Sequence, residues 1–265
     1  MIFYFSATGN CLYAARALAA VTESGTEPVS IPQEMHREDE LVYKDDAIGI
    51  VYPIYGHMMP AMVREFIARA SFDTPYFYLI PTYGCRHANA VEIAQQNMRD
   101  EGIEPAYIST LLMVDNWLPN FDMNEQRTME PEKHIEENLA RIAIDVNARK
   151  RRIEPVSDED RAAHAQFMSR GIRFEAEALE DFLSIDADAC KGCGACSRVC
   201  PAGCISMEDG CAVRRATVGF GCNACLACIH TCQAHAISLP MGEANPSARF
   251  RNEHVTLGDL MKANA

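Results

Sequence analysis

The sequence lacks several features that would assign it to a common class. Its 265 residues contain 24 Lys and Arg against 37 Asp and Glu, which gives a formal net charge of −13. Because it has no basic excess, we expect no binding to nucleic acid or to an anionic membrane surface. No apolar run reaches the roughly 20 residues of a membrane-spanning helix. The first residues also lack the basic and apolar regions of an export signal, so we expect a cytoplasmic, globular protein.

Cysteine, in contrast, is abundant. The chain has 12 cysteines, and in a reducing compartment metal binding is the leading use for so many. Cys11 and Cys85 lie in the first two thirds of the chain, and the other ten fall between Cys190 and Cys232. This change in composition is the clearest domain boundary in the sequence.

Short apolar runs alternate with helix-like segments over the first 150 residues. The runs MIFYFSA, AIGIVYPIYG, PYFYLIPTYG and YISTLLMV are typical of buried strands, and EPVSI could supply one more. Such alternation predicts a parallel sheet with helices on both faces, an α/β fold. From about Asn120 to Ser184 the pattern predicts helices that join two modules, and Ser157 with Asp160 resembles a capping box. We interpret the basic run Arg149–Arg152 as a solvated helix end, and a docking patch is the alternative.

Two cysteine runs carry the strongest signal. CKGCGACSRVCP begins at Cys190 and CNACLACIHTCQ begins at Cys222, and each spaces four cysteines by two, two and three residues. Thiolates bind iron and zinc well, and C-x2-C-x2-C-x3-C-P is a bacterial ferredoxin pattern in which the fourth Cys serves the other cluster. The second run has Gln233 in place of the proline. Zinc is the alternative, but structural zinc sites usually use paired C-x2-C knuckles.

Crossed ligation of this kind divides the eight cysteines into two sets. One set is Cys190, Cys193, Cys196 and Cys232, and the other is Cys222, Cys225, Cys228 and Cys200. CPAGCISM also echoes CQAHAISL, which indicates an internal repeat with a strand after the last ligand of each half. Cys204 and Cys211 are surplus, and we expect them to be small core residues. Over about residues 186–240 the chain resembles dicluster bacterial ferredoxins, which implies two [4Fe–4S] clusters in a small α+β domain.

The loop FSATGN lies between the first predicted strand and the first predicted helix. Backbone N–H groups at a helix start favour an anion. Ser6 and Thr8 add hydroxyl groups, and Gly9 allows a ligand to approach the backbone closely. The loop lacks a P-loop lysine and the G-x-G-x-x-G spacing, so neither ATP nor NAD is favoured. Simple capping of the helix by small polar residues is the alternative.

SATGNC resembles the phosphate loop of flavodoxins, with Cys11 where a hydroxyl residue is usual. The resemblance covers about residues 1–152 and implies a flavodoxin-like doubly wound parallel sheet that binds FMN at its carboxyl edge. The phosphate would be held by Ser6, Ala7, Thr8, Gly9, Asn10 and Cys11. The loops around the flavin ring would supply Pro53, Ile54, Tyr55, Gly56, Thr82, Tyr83 and Gly84, and Asn116 or Trp117 could reach the flavin edge.

The whole chain thus resembles a family of flavodoxin–ferredoxin fusion proteins from anaerobic microbes. We predict a flavodoxin-like FMN-binding domain over 1–152, a helical linker over 153–184, a ferredoxin-like domain over 185–240 and a tail over 241–265. The tail RFRNEHVTLGDLM also looks like the C-terminal segment of that family.

The function expected is electron transfer between two [4Fe–4S] clusters and FMN, with other redox proteins as partners. Acidic residues around Glu34–Asp46 favour docking onto basic redox proteins. The alternatives are a ferredoxin-dependent flavin reductase with a small substrate and a cluster-based redox sensor. No catalytic acid or base is required; His57, Cys85 and His87 are the plausible proton donors, although we expect them to be ordinary loop residues. His230, between cluster ligands, is expected to tune or pack.

Overall fold

A computed structural model describes residues 1–22, 25–171, 181–215 and 221–264. The chain forms two compact units. Unit 1 comprises Met1–Ser6, Cys11–Met113 and Pro131–Ile172, and unit 2 comprises Ala7–Asn10, Val114–Glu130 and Arg173–Ala265. Within the described ranges, no helix is both long and apolar enough to cross a membrane.

Unit 1 is built on a parallel sheet of seven strands. In spatial order six of them are β2 (Val29–Ser30), β1 (Ile2–Tyr4), β4 (Ile48–Pro53), β6 (Phe77–Tyr83), β7 (Tyr107–Ile108) and β9 (Arg152–Ile153). The seventh, β8 (Leu111–Leu112), pairs with the last two residues of β6, whereas β7 pairs with its second and third residues. The second strand of the chain, β2, pairs on one side of β1. The later strands of this sheet, from β4 onward, all lie on the other side of β1. This reversal defines a doubly wound sheet of the flavodoxin type and confirms the predicted fold class.

Helices cover the sheet strands of unit 1 in the alternation predicted. They are α1 (Asn10–Val21), α2 (Ile31–Met35), α3 (Ala61–Arg69), α4 (Ala90–Asp100), α6 (Ile135–Asn147) and α7 (Asp158–Met168). Ser157 caps α7, since its hydroxyl accepts a hydrogen bond from the Asp160 N–H at 3.1 Å. The helix ends at Met168, before Gly171 with its φ of 69°, so it is shorter than the predicted helix that continued to Ser184. Residues 172–180 of that prediction lie outside the described ranges.

A second pair of parallel strands in unit 1 was not predicted. β3 (Leu41–Lys44) pairs with β5 (Ala70–Asp73), and β3 alternates buried and exposed residues, as a half-buried strand should. On these strands, Tyr43 and Phe72 lie 4.6 and 6.2 Å from the Phe3 ring, measured between centroids. The pair therefore forms because its aromatic side chains complete the core beneath β1.

The basic run Arg149–Arg152 directly follows a helix end, and its residues are partly or fully exposed. Helix α6 ends at Asn147, and Arg152 begins strand β9. The Arg149 guanidinium lies 5.4 Å from the Tyr76 ring centroid, and Lys150 donates to the Asp145 carboxylate at 2.9 Å. Cation–π and ion-pair contacts of this kind hold the run against unit 1.

Unit 2 is small and mixed in structure. Its elements are α5 (Met123–Thr128), β10 (Ser184–Ile185), α8 (Ala195–Arg198), β11 (Ile205–Glu208), β12 (Cys211–Arg214), α9 (Ala227–Thr231), β13 (Ile237–Ser238) and α10 (Leu257–Ala263). β11 and β12 form a hairpin, and β10 pairs antiparallel with β13. A strand follows the last cysteine of each run, as the internal repeat predicted.

The units divide the chain differently from the predicted domain boundaries. Residues 114–130 were assigned to the first domain and residues 241–265 to a separate tail, yet both segments belong to unit 2. Ala244 N–H donates to the Leu118 carbonyl at 2.8 Å, which ties one segment to the other. The helix α7 of the predicted linker belongs to unit 1.

Substitution of Gly49 tests the packing of the sheet. A Cβ at Gly49 in β4 would lie 2.1 Å from Cζ of Tyr78 on the adjacent strand β6. We expect Gly49→Ala to lower the free energy of unfolding by about 1–3 kcal/mol, as overpacking of a core does. Gly258→Ala is the control, because its Cβ would meet nothing closer than 3.6 Å. Equal unfolding midpoints for both variants in urea would show that the contact is wrong.

Candidate cofactor sites

Two cavities in unit 2 are lined by the two cysteine sets that crossed ligation predicts. One cavity, of about 470 Å³ including space open to solvent, is lined by Cys200, Cys222, Cys225 and Cys228. The other, of about 360 Å³, is lined by Cys190, Cys193, Cys196 and Cys232. Each therefore combines three cysteines of one run with the last cysteine of the other run. Four soft sulfur donors around an apolar cavity fit an iron–sulfur cluster.

The two cysteine loops have the same backbone shape. Gly192 and Gly194 separate the first three cysteines of the first run, with φ of 65° and 71°. Ala224 and Leu226 occupy the same places in the second run, with φ of 51° and 61°. Left-handed backbone is unfavourable for residues with a Cβ, by roughly 1–2 kcal/mol each. The second cysteine loop adopts the left-handed conformation despite this energetic cost. The two loops therefore share a backbone shape even where their residues differ.

Backbone N–H groups point at the sulfur of the last cysteine in each run. Cys204 N–H donates to Cys200 Sγ at 3.2 Å, and Ala236 N–H donates to Cys232 Sγ at 3.3 Å. Both donors lie four residues after their cysteine, so the hydrogen bond is part of the repeat. Hydrogen bonds to cluster sulfurs are one of the features that set reduction potentials.

Burial and hydrogen bonding act on the thiols in opposite directions. The Cys204 side chain and nearby backbone N–H groups lower the pKa of Cys200 to about 6, against the effect of burial. Burial raises the pKa of Cys228 well above its ordinary value. A buried thiol of this kind is held neutral until a metal replaces its proton, so loading of the cavity releases protons.

All twelve cysteines are free thiols. In the part of the chain that the structure describes, no three His, Cys, Asp or Glu side chains lie around a single ion position. A four-iron cluster has a different requirement, because each thiolate binds a separate iron. Of the surplus cysteines, Cys204 is buried and lines the larger cavity, and Cys211 is partly exposed at the start of β12.

The turn Ala7–Asn10, which belongs to unit 2, has the donors that an anion requires. Gly9 adopts a φ of 103°, and no described residue accepts a hydrogen bond from the N–H of Thr8, Gly9 or Asn10. In unit 1, the hydroxyl of Ser6, the residue before the turn in the sequence, is buried and also has no partner among the described residues. Unpaired buried donors are costly, so this arrangement fits a phosphate group better than simple helix capping.

The same turn is not open to solvent. Thr8 and Asn10 are 3% and 8% exposed, and the C-terminal segment contacts them directly. Asn252 N–H donates to the Thr8 carbonyl at 2.9 Å. A Cβ on Gly9 would lie 3.0 Å from the Cβ atoms of Asn252 and Val255. The close approach that Gly9 permits is therefore made by the protein's own tail, which the sequence did not predict.

In unit 1, the other predicted flavin residues cluster at the carboxyl ends of β1, β4 and β6. Ile54 N–H donates to the Thr82 carbonyl at 2.8 Å, and the Tyr55 ring lies 6.4 Å from Phe5. Cys11 Sγ lies 3.2 Å from Thr82 Oγ1, and burial raises the pKa of the Cys11 thiol to about 12. Cys11 is thus a neutral thiol that contacts a threonine. Pro53, Gly56, Tyr83 and Gly84 lie on the same strand ends or directly after them.

Of the three plausible proton donors, all in unit 1, His57 lies near a histidine that the sequence did not single out. His57, with a φ of 67°, has its ring 5.7 Å from that of His164 on α7. Burial lowers the pKa of His57 to about 4, helped by His164 and Arg86, so the ring is neutral near pH 7. His87 lies 5.0 Å from the Tyr83 ring, while Cys85 is exposed.

Within unit 2, Asn116 and His230 connect the second cysteine run to the turn Ala7–Asn10. His230 follows Cys228 on α9 and is buried. Its Nδ1 accepts from the Phe250 N–H at 3.1 Å, so Nε2 carries the proton and donates to the Asn116 carbonyl at 2.9 Å. Asn116 Nδ2 in turn donates to Thr8 Oγ1 at 2.6 Å. Trp117 stacks on Phe182 in the core of unit 2.

Comparison with known proteins gives one family match. A family model described as a 4Fe–4S binding domain (Fer4) matches residues 183–206, the segment with the first cysteine run. Comparison with curated proteins gives no match. The match indicates an iron–sulfur protein of electron transfer with at least one [4Fe–4S] cluster.

Two solved structures are similar to part of the chain. A candidate flavoprotein of Bacteroides uniformis is 22% identical with a TM-score of 0.34, and the alignment covers 42% of this chain and 88% of that one. Trp repressor binding protein of Bacillus subtilis is 14% identical with a TM-score of 0.27, over 42% of this chain and 83% of that one.

Substitution of Gly192 in the first cysteine loop and of Ala224 at the matching place in the second tests how each loop depends on a Cβ at this position. A Cβ on Gly192 would lie 2.4 Å from the Gly210 carbonyl oxygen, so Gly192→Ala should distort the first loop and remove about half of the iron. Ala224→Gly relieves left-handed backbone in the second loop and should keep full iron content. Iron and protein assays after anaerobic purification measure this. If Ala224→Gly lost iron and Gly192→Ala did not, the assignment of the two cysteine loops to iron–sulfur clusters would be contradicted.

Proposed function

We propose that this chain is an electron-transfer protein that binds two [4Fe–4S] clusters by crossed ligation and exchanges electrons with a bound flavin. One observation carries the proposal for the clusters. The lining of each of two separate cavities includes three spaced cysteines of one run and the last cysteine of the other. The clusters would supply one-electron chemistry, and the protein supplies position, apolar surroundings and hydrogen bonds to sulfur.

Paired substitutions distinguish crossed from uncrossed ligation. Cys200→Ser with Cys222→Ser removes two ligands of one proposed cluster, so about four of eight irons should remain. Cys200→Ser with Cys193→Ser removes one ligand from each proposed cluster and should disrupt both. Iron and sulfide per chain, measured after anaerobic purification, give the result.

Uncrossed ligation predicts the opposite ranking, because Cys193 and Cys200 would then serve one cluster. Retention of more iron in the Cys193/Cys200 pair than in the Cys200/Cys222 pair would contradict crossed ligation. Cys85→Ser is the control, since Cys85 is an exposed cysteine of unit 1. It should keep the iron content of the unsubstituted protein.

The proposed flavin is FMN, and its phosphate would bind the turn Ala7–Asn10. This proposal is supported by the resemblance of SATGNC to the flavodoxin phosphate loop and by the unpartnered N–H groups of the turn. The Ser6 hydroxyl would add a further donor. The role of Tyr55 and Tyr83 beside the flavin ring remains a prediction. Both residues lie in unit 1, whereas the turn that would bind the phosphate lies in unit 2.

Comparison of FMN with riboflavin tests the phosphate site. The two ligands share the flavin ring and differ in the phosphate, so FMN should bind more tightly. Ser6→Ala should weaken FMN by about tenfold or more, since a hydrogen bond to a charged group contributes ~1.5–3 kcal/mol, and should leave riboflavin unchanged. Flavin fluorescence quenching measures both. Equal affinity for FMN and riboflavin would exclude a phosphate site at this turn.

Redox proteins remain the proposed partners, with docking at the acidic segment Glu34–Asp46. Part of its charge is already used within unit 1, because Glu34 and Asp39 both pair with Arg37. Glu38, Glu40 and Asp46 are exposed and would make the contact with a basic partner.

A further inference from the structure

Within unit 2, the turn Ala7–Asn10 is held through the side chain of Thr8 by a residue far away in the sequence. Asn116 Nδ2 donates to Thr8 Oγ1 at 2.6 Å, and Thr8 is buried. An amide N–H only donates, so this bond uses a lone pair of the hydroxyl and leaves the hydroxyl proton available. Among the described residues, none accepts that proton. The Thr8 hydroxyl can therefore donate to a ligand and keep its bond to Asn116.

Asn116 is in turn held by His230. His230 Nε2 donates to the Asn116 carbonyl at 2.9 Å, and His230 Nδ1 accepts from the Phe250 N–H at 3.1 Å. The histidine is buried and both of its ring nitrogens are bonded, so one tautomer and one ring orientation are fixed. A shift of Asn116 away from Thr8 would leave a buried ring N–H without its acceptor, which is unfavourable. The ring therefore fixes the position from which Asn116 reaches the turn.

His230 lies on helix α9, between two proposed cluster ligands. Cys232 N–H donates to the Cys228 carbonyl at 3.1 Å and closes the helical turn that carries the histidine. This helix has only 5 residues, and a helix so short is not stable by itself. Its position depends on the residues around it, and these include Cys225 and Cys228, which line the larger cavity. The loop that would bind a cluster thus also holds His230 in place.

We propose that Asn116 and His230 are positioning residues that hold the Thr8 hydroxyl for a phosphate group, so that the second cysteine run influences how tightly the turn binds that group. The inference rests on the proposed function, in which the phosphate is that of the flavin. Loss of either positioning residue should weaken a ligand that carries the phosphate and should not affect a ligand that lacks it. A general loss of structure would weaken both ligands.

Flavin affinities of the full-length, iron-loaded protein test the positioning. Asn116→Ala leaves the Thr8 hydroxyl without its partner, and His230→Leu removes both hydrogen bonds of the ring. Each should weaken FMN by about tenfold and leave riboflavin unchanged. His230→Gln keeps an amide donor in the place of Nε2 and should retain most of the FMN affinity. Flavin fluorescence quenching measures both ligands.

His235→Leu is the matched control for the histidine substitution. His235 also follows a proposed cluster ligand closely, but its Nδ1 donates to the Pro246 carbonyl at 2.9 Å. This variant should bind FMN and riboflavin as the unsubstituted protein does. Iron content and circular dichroism establish that the variants fold. An equal loss of FMN and riboflavin affinity in Asn116→Ala would show a purely structural role and would overturn the proposal.

A double-mutant cycle tests whether Asn116 acts through Thr8. Thr8→Val removes the hydroxyl and should itself weaken FMN. If Asn116 acts by holding that hydroxyl, Asn116→Ala should cause no further loss of FMN affinity in the Thr8→Val background. The same loss of about tenfold in both backgrounds would mean that the two residues act independently, and this would contradict the positioning role.

Iron release to a chelator under anaerobic conditions tests the link to the second cysteine run. Coupling between two sites is reciprocal, and a ligand that binds only the intact site stabilises it. Saturating inorganic phosphate, compared with chloride at equal ionic strength, should slow iron release from the unsubstituted protein by about fivefold. It should have no such effect on Asn116→Ala. Equal release rates in phosphate and in chloride would overturn the link.

The outcomes separate this inference from the proposed function. Unchanged FMN affinity in Asn116→Ala and His230→Leu would overturn the positioning role and leave the flavin site standing. No FMN binding by the unsubstituted protein would contradict the flavin function. Inorganic phosphate then decides on the positioning role. Slower iron release in the unsubstituted protein but not in Asn116→Ala supports that role, and the same response in both proteins overturns it.

Discussion

The pairing of each cysteine run with the last cysteine of the other is the constraint on which unit 2 depends. Each cysteine run forms a short loop followed by a helix of about one turn. Cys196 and Cys228 belong to the apolar core itself. Metal–sulfur bonds between the two halves would therefore contribute to folding as well as to redox chemistry.

Within unit 2, a series of hydrogen bonds links the second cysteine run to the turn Ala7–Asn10. The peptide between Cys228 and Cys232 holds His230, whose two ring nitrogens fix Asn116 on one side and Phe250 on the other. Asn116 and Asn252 then both donate to Thr8, the first to its side-chain oxygen and the second to its carbonyl. Burial lowers the pKa of His230 to about 4, so the neutral tautomer that makes both bonds persists at physiological pH.

The sequence was most informative where one residue type has one chemical use. The cysteine spacing predicted the two sets that line the cavities, and the alternation of apolar runs predicted the parallel sheet. Local rules also predicted the Ser157 cap of α7. In each case the decisive interaction is local or is encoded in a fixed spacing.

Long-range packing accounts for what was missed. Strands β3 and β5 form through aromatic contacts between residues far apart in the chain, and no local pattern specifies such pairing. Gly9 looked like a ligand-binding glycine, but its neighbours are residues 252 and 255. Thr256 and Asp259 did carry a capping-box signal that could have located α10. Its docking near the N-terminal turn required the structure.

The most direct test of two [4Fe–4S] clusters in this chain is electron paramagnetic resonance on the anaerobically purified and chemically reduced protein, with iron and sulfide counted on the same sample. The account predicts about eight iron and eight sulfide per chain and a spectrum broadened by magnetic interaction between two nearby [4Fe–4S] clusters. A single non-interacting signal with about four irons, or bound zinc without sulfide, would contradict it.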